Sequence, residues 1–306
     1  MKTSTASDDT YAPFAASWIE NVLRFTNDFS NLYGNVPEAD STAEQEIGHN
    51  AETGPGGPWP ALDCSRPYEI AGGLMTLAMA HLLASLQSMI GPEMALFGFQ
   101  SVTRSIVETG ARASWVLEPE IGIRERVVRS TLLELESVRE AKLVEAAAGG
   151  DGSNFNRQVA DLKIRLALLG IDEKLDKNGR LIGVDGRTLG SRLDSVRKFL
   201  PGLGVPRGEM WYRSMSGVSH SVLYGVTEYL KAGPADVTGK AKPVPELPIH
   251  AVANAAFLSL DAYLTVVQRH AELWGREAPK VASKRLEMKG ELLSAINRPE
   301  LRIHRS

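Results

Sequence analysis

Apolar residues recur at three- and four-residue intervals along most of this chain, and alternation of apolar with polar positions is rare. That period predicts helices over about 11–32, 68–90, 93–117, 121–148, 154–169, 188–199, 207–231, 248–275 and 278–296. Gly91-Pro92, Glu118-Pro119 and the stretch AAAGGDGSN separate them, as helix-breaking residues should. Only DKNGRLIGVDG, with its Asn-Gly dipeptide, reads as a hairpin. Two Pro-rich stretches stand apart. GHNAETGPGGPWPALDCSRP, before residue 68, is long for a connection and is expected to form a mobile lid or arm; KAGPADVTGKAKPVPELP is a second loop. With no strands alternating with helices, a Rossmann or hydrolase sheet is not expected. The expected fold is all-α: a single bundle of about eight helices with at most one small hairpin. Residues 1–66 would form an N-terminal helix and an acidic arm, 67–296 the bundle, and 297–306 a basic tail.

Composition changes this picture little. A net charge of −3 over 306 residues leaves no global footprint for nucleic acid. Locally, residues 1–66 carry ten acidic against three basic side chains, and residues 267–306 nine basic against five acidic. Solvated termini explain this most simply. The single cysteine, Cys64, allows no internal disulfide and fits a reducing cytoplasm. MKTSTASDDTYAPF has no apolar stretch of the kind a secretory leader needs. AGGLMTLAMAHLLASLQSMI has no formal charge, yet it holds His81, Gln87, two serines and a Gly-Gly pair, so a buried helix is expected and no membrane partner.

Candidate chemistry concentrates in YRSMSGVSHSVLYG, residues 212–225. On a helix, Trp211, Met215, Val218, Val222, Val226 and Tyr229 share one face. Glu209, Arg213, Ser216, His220, Tyr224 and Thr227 share the opposite one. Between them Ser214, Gly217, Ser221 and Gly225 form a small-residue stripe that would admit another backbone closely. Arg213 is a permanently charged, forked donor for phosphate or carboxylate, and His220 can exchange a proton near neutral pH. Such a pair suits metal-independent phosphodiester cleavage. It also suits a structural network in which Arg213 pairs with Glu209.

A second stripe lies in SVTRSIVETGARASWVLEP. Ser101, Arg104, Glu108, Arg112 and Trp115 fall on one side; Val102, Ile106, Thr109, Ala113 and Leu117 fall on the other. If the two helices face each other, Arg104, Glu108 and Arg112 join Arg213, His220, Ser216 and Tyr224 around an anion-binding pocket. Several motifs are incomplete. GVSHS ends in Ser221 where a nucleophile elbow needs glycine, and SVRK lacks its companion motifs. EIGH is one Glu-x-x-His where a di-iron bundle needs two. The six histidines show no paired ligand spacing, and no Walker loop or GxGxxG is present. No metal and no cofactor are expected. A metal-dependent bundle would require loops to bring His49 or His81 to glutamates.

RSIVETGARASWVLEPEIGIRERVVRS together with YRSMSGVSHSVLYG resembles a group of actinobacterial all-helical proteins, a likeness that implies the fold and no particular activity. More distantly, Arg213-Ser214…His220 resembles the Arg-x6-His signature of the HEPN superfamily of helical-bundle ribonucleases and toxins. That resemblance implies a homodimer whose two Arg/His pairs line one cleft and cut RNA without metal, with the small-residue stripe suited to the interface. A HEPN-like ribonuclease, toxin or defence component is therefore one expectation. The other is a non-catalytic helical protein that binds a small anionic ligand or a protein partner, such as an antitoxin.

Overall fold

The computed structural model describes residues 20–25, 36–48, 52–90, 98–204, 208–220, 230–235, 241–245 and 249–296. Its helices are α1 (Thr42–Gly48), α2 (Ala61–Ile90), α3 (Gly98–Val116), α4 (Ile123–Ala147), α5 (Ser153–Leu169), α6 (Arg192–Phe199), α7 (Gly208–Ser219), α8 (Ile249–Leu273) and α9 (Ala278–Ile296). A single 3-10 turn, Leu200–Leu203, follows α6 directly. The architecture is an all-α bundle. Three short antiparallel pairs decorate it: β1 (Thr53–Gly54) with β2 (Gly57–Pro58), β3 (Glu173–Leu175) with β4 (Leu181–Val184), and β5 (Leu230–Ala235) with β6 (Ala241–Pro245). The hairpin expected from Asn178-Gly179 is the β3–β4 pair, with Gly179 at φ 73° in its turn. The two further pairs lie in the stretches read as loops.

α3 is the central element, packed against α2, α8, α6 and α7. Its apolar positions carry out the period read from the sequence. Ile106, Thr109, Ala113 and Leu117 are buried and Val102 is half-buried, while Ser101, Arg104, Glu108, Arg112 and Trp115 are partly exposed. Gly110 has a steric reason: a Cβ there would come within 3.3 Å of the Ala262 carbonyl oxygen. A glycine in mid-helix costs about 0.5–1 kcal/mol relative to alanine, and here it permits α3 and α8 to approach. A second, smaller core gathers Trp59, Cys64, Val128, Leu166, Leu169 and Val184 between α4, α5 and β4. α2 begins at Ala61 and runs through Pro67, earlier than the start expected at about 68, and Cys64 and Tyr68 in this added stretch and just after it are buried.

The arm expected to be a mobile lid is packed against the bundle instead. Trp59 is 1% exposed and its indole Nε1 donates to the Leu169 carbonyl at 3.0 Å. The Glu38 amide donates to the Trp274 carbonyl at 3.1 Å. α1 delivers the Glu46 carboxylate to Arg126, which is 0% exposed. Arg126 Nε meets Glu46 at 3.1 Å, Nη1 donates to the Val116 carbonyl at 2.9 Å, and Nη2 donates to the Ile121 carbonyl at 3.0 Å. The Tyr68 hydroxyl completes the cluster by donating to Glu46 at 2.6 Å. Aromatic anchors and a buried charge outweigh the loop-like composition of the segment.

α2 contains the one described stretch long and apolar enough to cross a membrane, Ala61–Gln87, with mean hydropathy 1.4 and 33% of it buried inside the fold. It packs on α3, α8 and α4. The helix read over about 207–231 is interrupted at His220, and residues 221–229 lie outside the described residues. α7 ends at Ser219, His220 sits in a turn, and Leu230 begins β5.

Breaking the Arg126 cluster from one side leaves the other charge buried. Arg126→Met should cost about 3–5 kcal/mol in urea unfolding, a loss well beyond that of an exposed arginine on α4. A cost under about 1 kcal/mol would contradict the cluster's role. His270, 5% exposed and stacked on Trp274 at 4.8 Å, gives a pH dependence. Burial, with a smaller contribution from Arg276, pushes its pKa down from 6.5 to about 4. The unfolded chain therefore binds a proton that the folded chain refuses. This contribution is complete above pH 6.5 and is lost as pH falls toward 4, with a span of about 3 kcal/mol. His270→Phe should flatten the fall in melting temperature across that window.

Candidate functional site

The candidate residues converge where α3, α6 and α7 meet. α6 is started by Ser191, whose Oγ accepts from the Asp194 amide at 3.2 Å in an extended N-cap. It holds Arg192 toward α3. α7 lays its buried positions Tyr212, Met215 and Val218 against the core. Ser214 and Gly217 of the small-residue stripe are buried within the chain, so these two serve α7's packing rather than a face offered to a second copy. Ser221 and Gly225 lie outside the described residues. Ser219 Oγ donates to Ser101 Oγ at 3.1 Å, which ties the end of α7 to the start of α3.

Around this junction the charges form a chain of shared contacts. Arg104 Nε donates to Glu108 Oε1 at 2.7 Å. The Tyr212 hydroxyl donates to the same oxygen at 2.8 Å, and the Arg104 guanidinium lies 5.9 Å from the Tyr212 ring centroid. Burial opposes the Arg104 charge, but Glu108 and Tyr212 outweigh it and raise the pKa above the ordinary arginine value. Burial and Glu108 likewise push the Tyr212 hydroxyl up, so it remains protonated as a donor. On the other side, Arg213 Nε donates to Glu209 at 2.9 Å, and Arg197 shares that carboxylate at 3.1 Å. The hydrogen bonds from Arg213 and Arg197 lower the Glu209 pKa.

His220 meets the site through one contact: Arg104 Nη1 lies 2.8 Å from His220 Nε2. Arginine can only donate, so Nε2 must accept, and the neutral imidazole carries its hydrogen on Nδ1. Protonating Nε2 would set two cations against each other and abolish the bond.

A cavity of about 280 Å³ opens among these groups, lined by Arg104, Arg192, Leu193, Tyr212, Arg213 and Ser216. Three guanidinium-bearing side chains line it, and among the described residues no carboxylate does. The acids stand behind the arginines. Glu108 is 4.0 Å from Arg192, and Glu136 of α4 is 3.7 Å from it. Arginine forks held from behind suit bidentate recognition of phosphate or carboxylate. The volume suits such a headgroup.

The structure thus brings Arg104, Glu108, Arg213, Ser216 and His220 into one neighbourhood. Arg112 stands apart from the cavity lining, bonded to Glu136 at 2.7 Å. Tyr224 lies outside the described residues. Sequence reasoning missed Arg192 and Tyr212. Arg192 sits on a two-turn helix outside the two polar stripes singled out in the sequence, although the Ser191 cap signals its direction. Tyr212 falls between the two faces assigned to its helix, and only packing decides that its hydroxyl reaches Glu108. Among the described residues no group of three His, Cys, Asp or Glu could hold a metal ion. No family model, no curated protein and no solved structure matches this chain.

The tautomer is directly measurable. Long-range ¹⁵N correlation spectra of the full chain above pH 8 should show His220 with its hydrogen on Nδ1, reverting toward the usual Nε2-H preference in Arg104→Ala. An Nε2-H imidazole in the wild type would contradict the Arg104–His220 bond.

Proposed function

We propose that the chain binds an anionic headgroup, a phosphate monoester or diester above all, in the cavity between α3, α6 and α7. The observation that carries this reading is the lining: Arg104, Arg192 and Arg213 converge with the Tyr212 and Ser216 side chains on a small volume that no carboxylate enters. Glu108 and Glu209 orient the guanidinium groups from outside and leave net positive charge toward the cavity. Ordered arginines lose less conformational entropy on binding than mobile surface ones, which favours affinity for a compact anion.

The test is calorimetric titration of the full-length protein with inorganic phosphate at low salt, repeated with Arg104→Ala, Arg192→Ala and Glu108→Gln. Saturable 1:1 binding is expected, weakened about tenfold or more by either arginine change. Glu108→Gln, which removes a competing charge, is expected to bind at least as tightly as wild type. Phosphate binding that is absent, or unaltered in folded Arg104→Ala and Arg192→Ala, rejects the site.

A catalytic reading of the HEPN-like kind is favoured by the His220 geometry. A neutral imidazole whose Nε2 lone pair points at the wall of an anion site can act as a general base once a phosphate draws Arg104 away. With an RNA strand, Nε2 would take the 2′-hydroxyl proton, the 2′-oxygen would attack phosphorus, and the P–O5′ bond would break. The 5′-oxygen would take a proton from water, leaving a 2′,3′-cyclic phosphate and a 5′-hydroxyl. Arg104 and Arg213 would stabilise the charge developing on phosphorus oxygens. Cleavage of total and synthetic RNA in EDTA, lost in His220→Ala with circular dichroism unchanged, is the expected result. No cleavage by folded wild type that still binds phosphate would leave an anion-binding protein without this chemistry.

A further inference from the structure

A second cavity lies on the other side of the bundle, between α2, α8 and the packed segment before α1, and shares no lining residue with the arginine cavity. Its volume is about 730 Å³, within the range of small-molecule sites, about 300–1,000 Å³. Tyr68, Met75, Tyr263 and Trp274 form its floor, each under a tenth exposed. The floor is fixed before anything binds. The Tyr68 hydroxyl is held by Glu46 at 2.6 Å, and the Tyr68 and Trp274 rings meet edge-on at 6.3 Å and 75°. One carboxylate, Glu69, stands at the rim, and no lysine or arginine is among the described lining residues.

Gly72 supplies an independent sign. It lines the cavity from the middle of α2, where a Cβ would meet nothing within 4 Å. No backbone approach of the kind that explains Gly110 exists there. A helix interior glycine costs about 0.5–1 kcal/mol against alanine, so stability is forgone at a position whose own chain leaves room for a side chain.

We propose that this cavity is a binding site for an uncharged, mostly apolar small molecule with one or two ring systems. The aromatic and methionine floor supplies the contact area for such a ligand. With no lysine or arginine among its described lining residues, the cavity offers no counterpart for the phosphate proposed for the arginine cavity, so the two sites take different chemical classes.

The probe is N-phenyl-1-naphthylamine, an uncharged two-ring-system dye that brightens in apolar surroundings, titrated into the full chain. Saturable 1:1 binding is expected. Gly72→Leu, which fills the space, should keep or raise the melting temperature and weaken the dye at least tenfold. Arg104→Ala should leave dye affinity unchanged. If Gly72→Leu does not fold, Thr76→Trp at the exposed rim takes its place with the same expectation. No saturable 1:1 binding, or wild-type affinity in a folded filling variant, overturns the proposal.

Discussion

One buried guanidinium holds the corner from which the bundle is laid out. Arg126 is fully enclosed, and its donors are taken by the Glu46 carboxylate and by the carbonyls of Val116 and Ile121. The two carbonyls belong to the end of α3 and the turn into α4, so the arginine fixes how α3 leaves the core. Glu46 comes from α1, and its second partner, Tyr68, from α2. An isolated charge in this position would be untenable, which is why all four segments must be in place together. The same cluster explains why a Pro/Gly-rich segment is packed: it carries the counterion.

With α3 set, its charged stripe has no freedom to point elsewhere. Arg104, Glu108 and Arg112 recur at four-residue spacing along its partly exposed side, and α4, α6 and α7 close over that side. Each arginine finds a carboxylate, yet each carboxylate is shared. Glu108 serves Arg104 and Tyr212 and lies near Arg192; Glu136 serves Arg112 and lies near Arg192; Glu209 serves Arg197 and Arg213. Sharing leaves guanidinium donors in excess where the cavity forms. Such an arrangement costs little in the empty protein, because Arg104 is already held by Glu108 and Arg213 by Glu209, and it answers an incoming anion without building new structure.

The sequence announces the parts that periodicity controls and is silent on those that packing controls. The two faces of α3 are readable because Ile106, Thr109, Ala113 and Leu117 repeat with the turn of the helix. The β3–β4 hairpin is readable from Asn178-Gly179. Arg104 and His220 are recognisable as candidates, but nothing in the chain says that 116 residues of separation close to 2.8 Å. The end of α7 at Ser219 is misread because small and apolar residues keep helical spacing past it, and spacing alone does not reveal the turn at His220. The packed arm is misread for the opposite reason. Its composition argues for a loop, while Trp59 and Glu46 are single anchors that no period reveals.

The account rests on the claim that three arginines of α3, α6 and α7 converge on one anion. Crystals of the full chain soaked in tungstate, a heavy tetrahedral phosphate mimic, test it in a single anomalous difference map. The account predicts a tungsten peak within hydrogen-bond distance of Arg104, Arg192 and Arg213, with Arg104 drawn from His220 Nε2 toward the anion. Tungsten bound only elsewhere, with Arg104 still on His220 and the cavity empty, would contradict it.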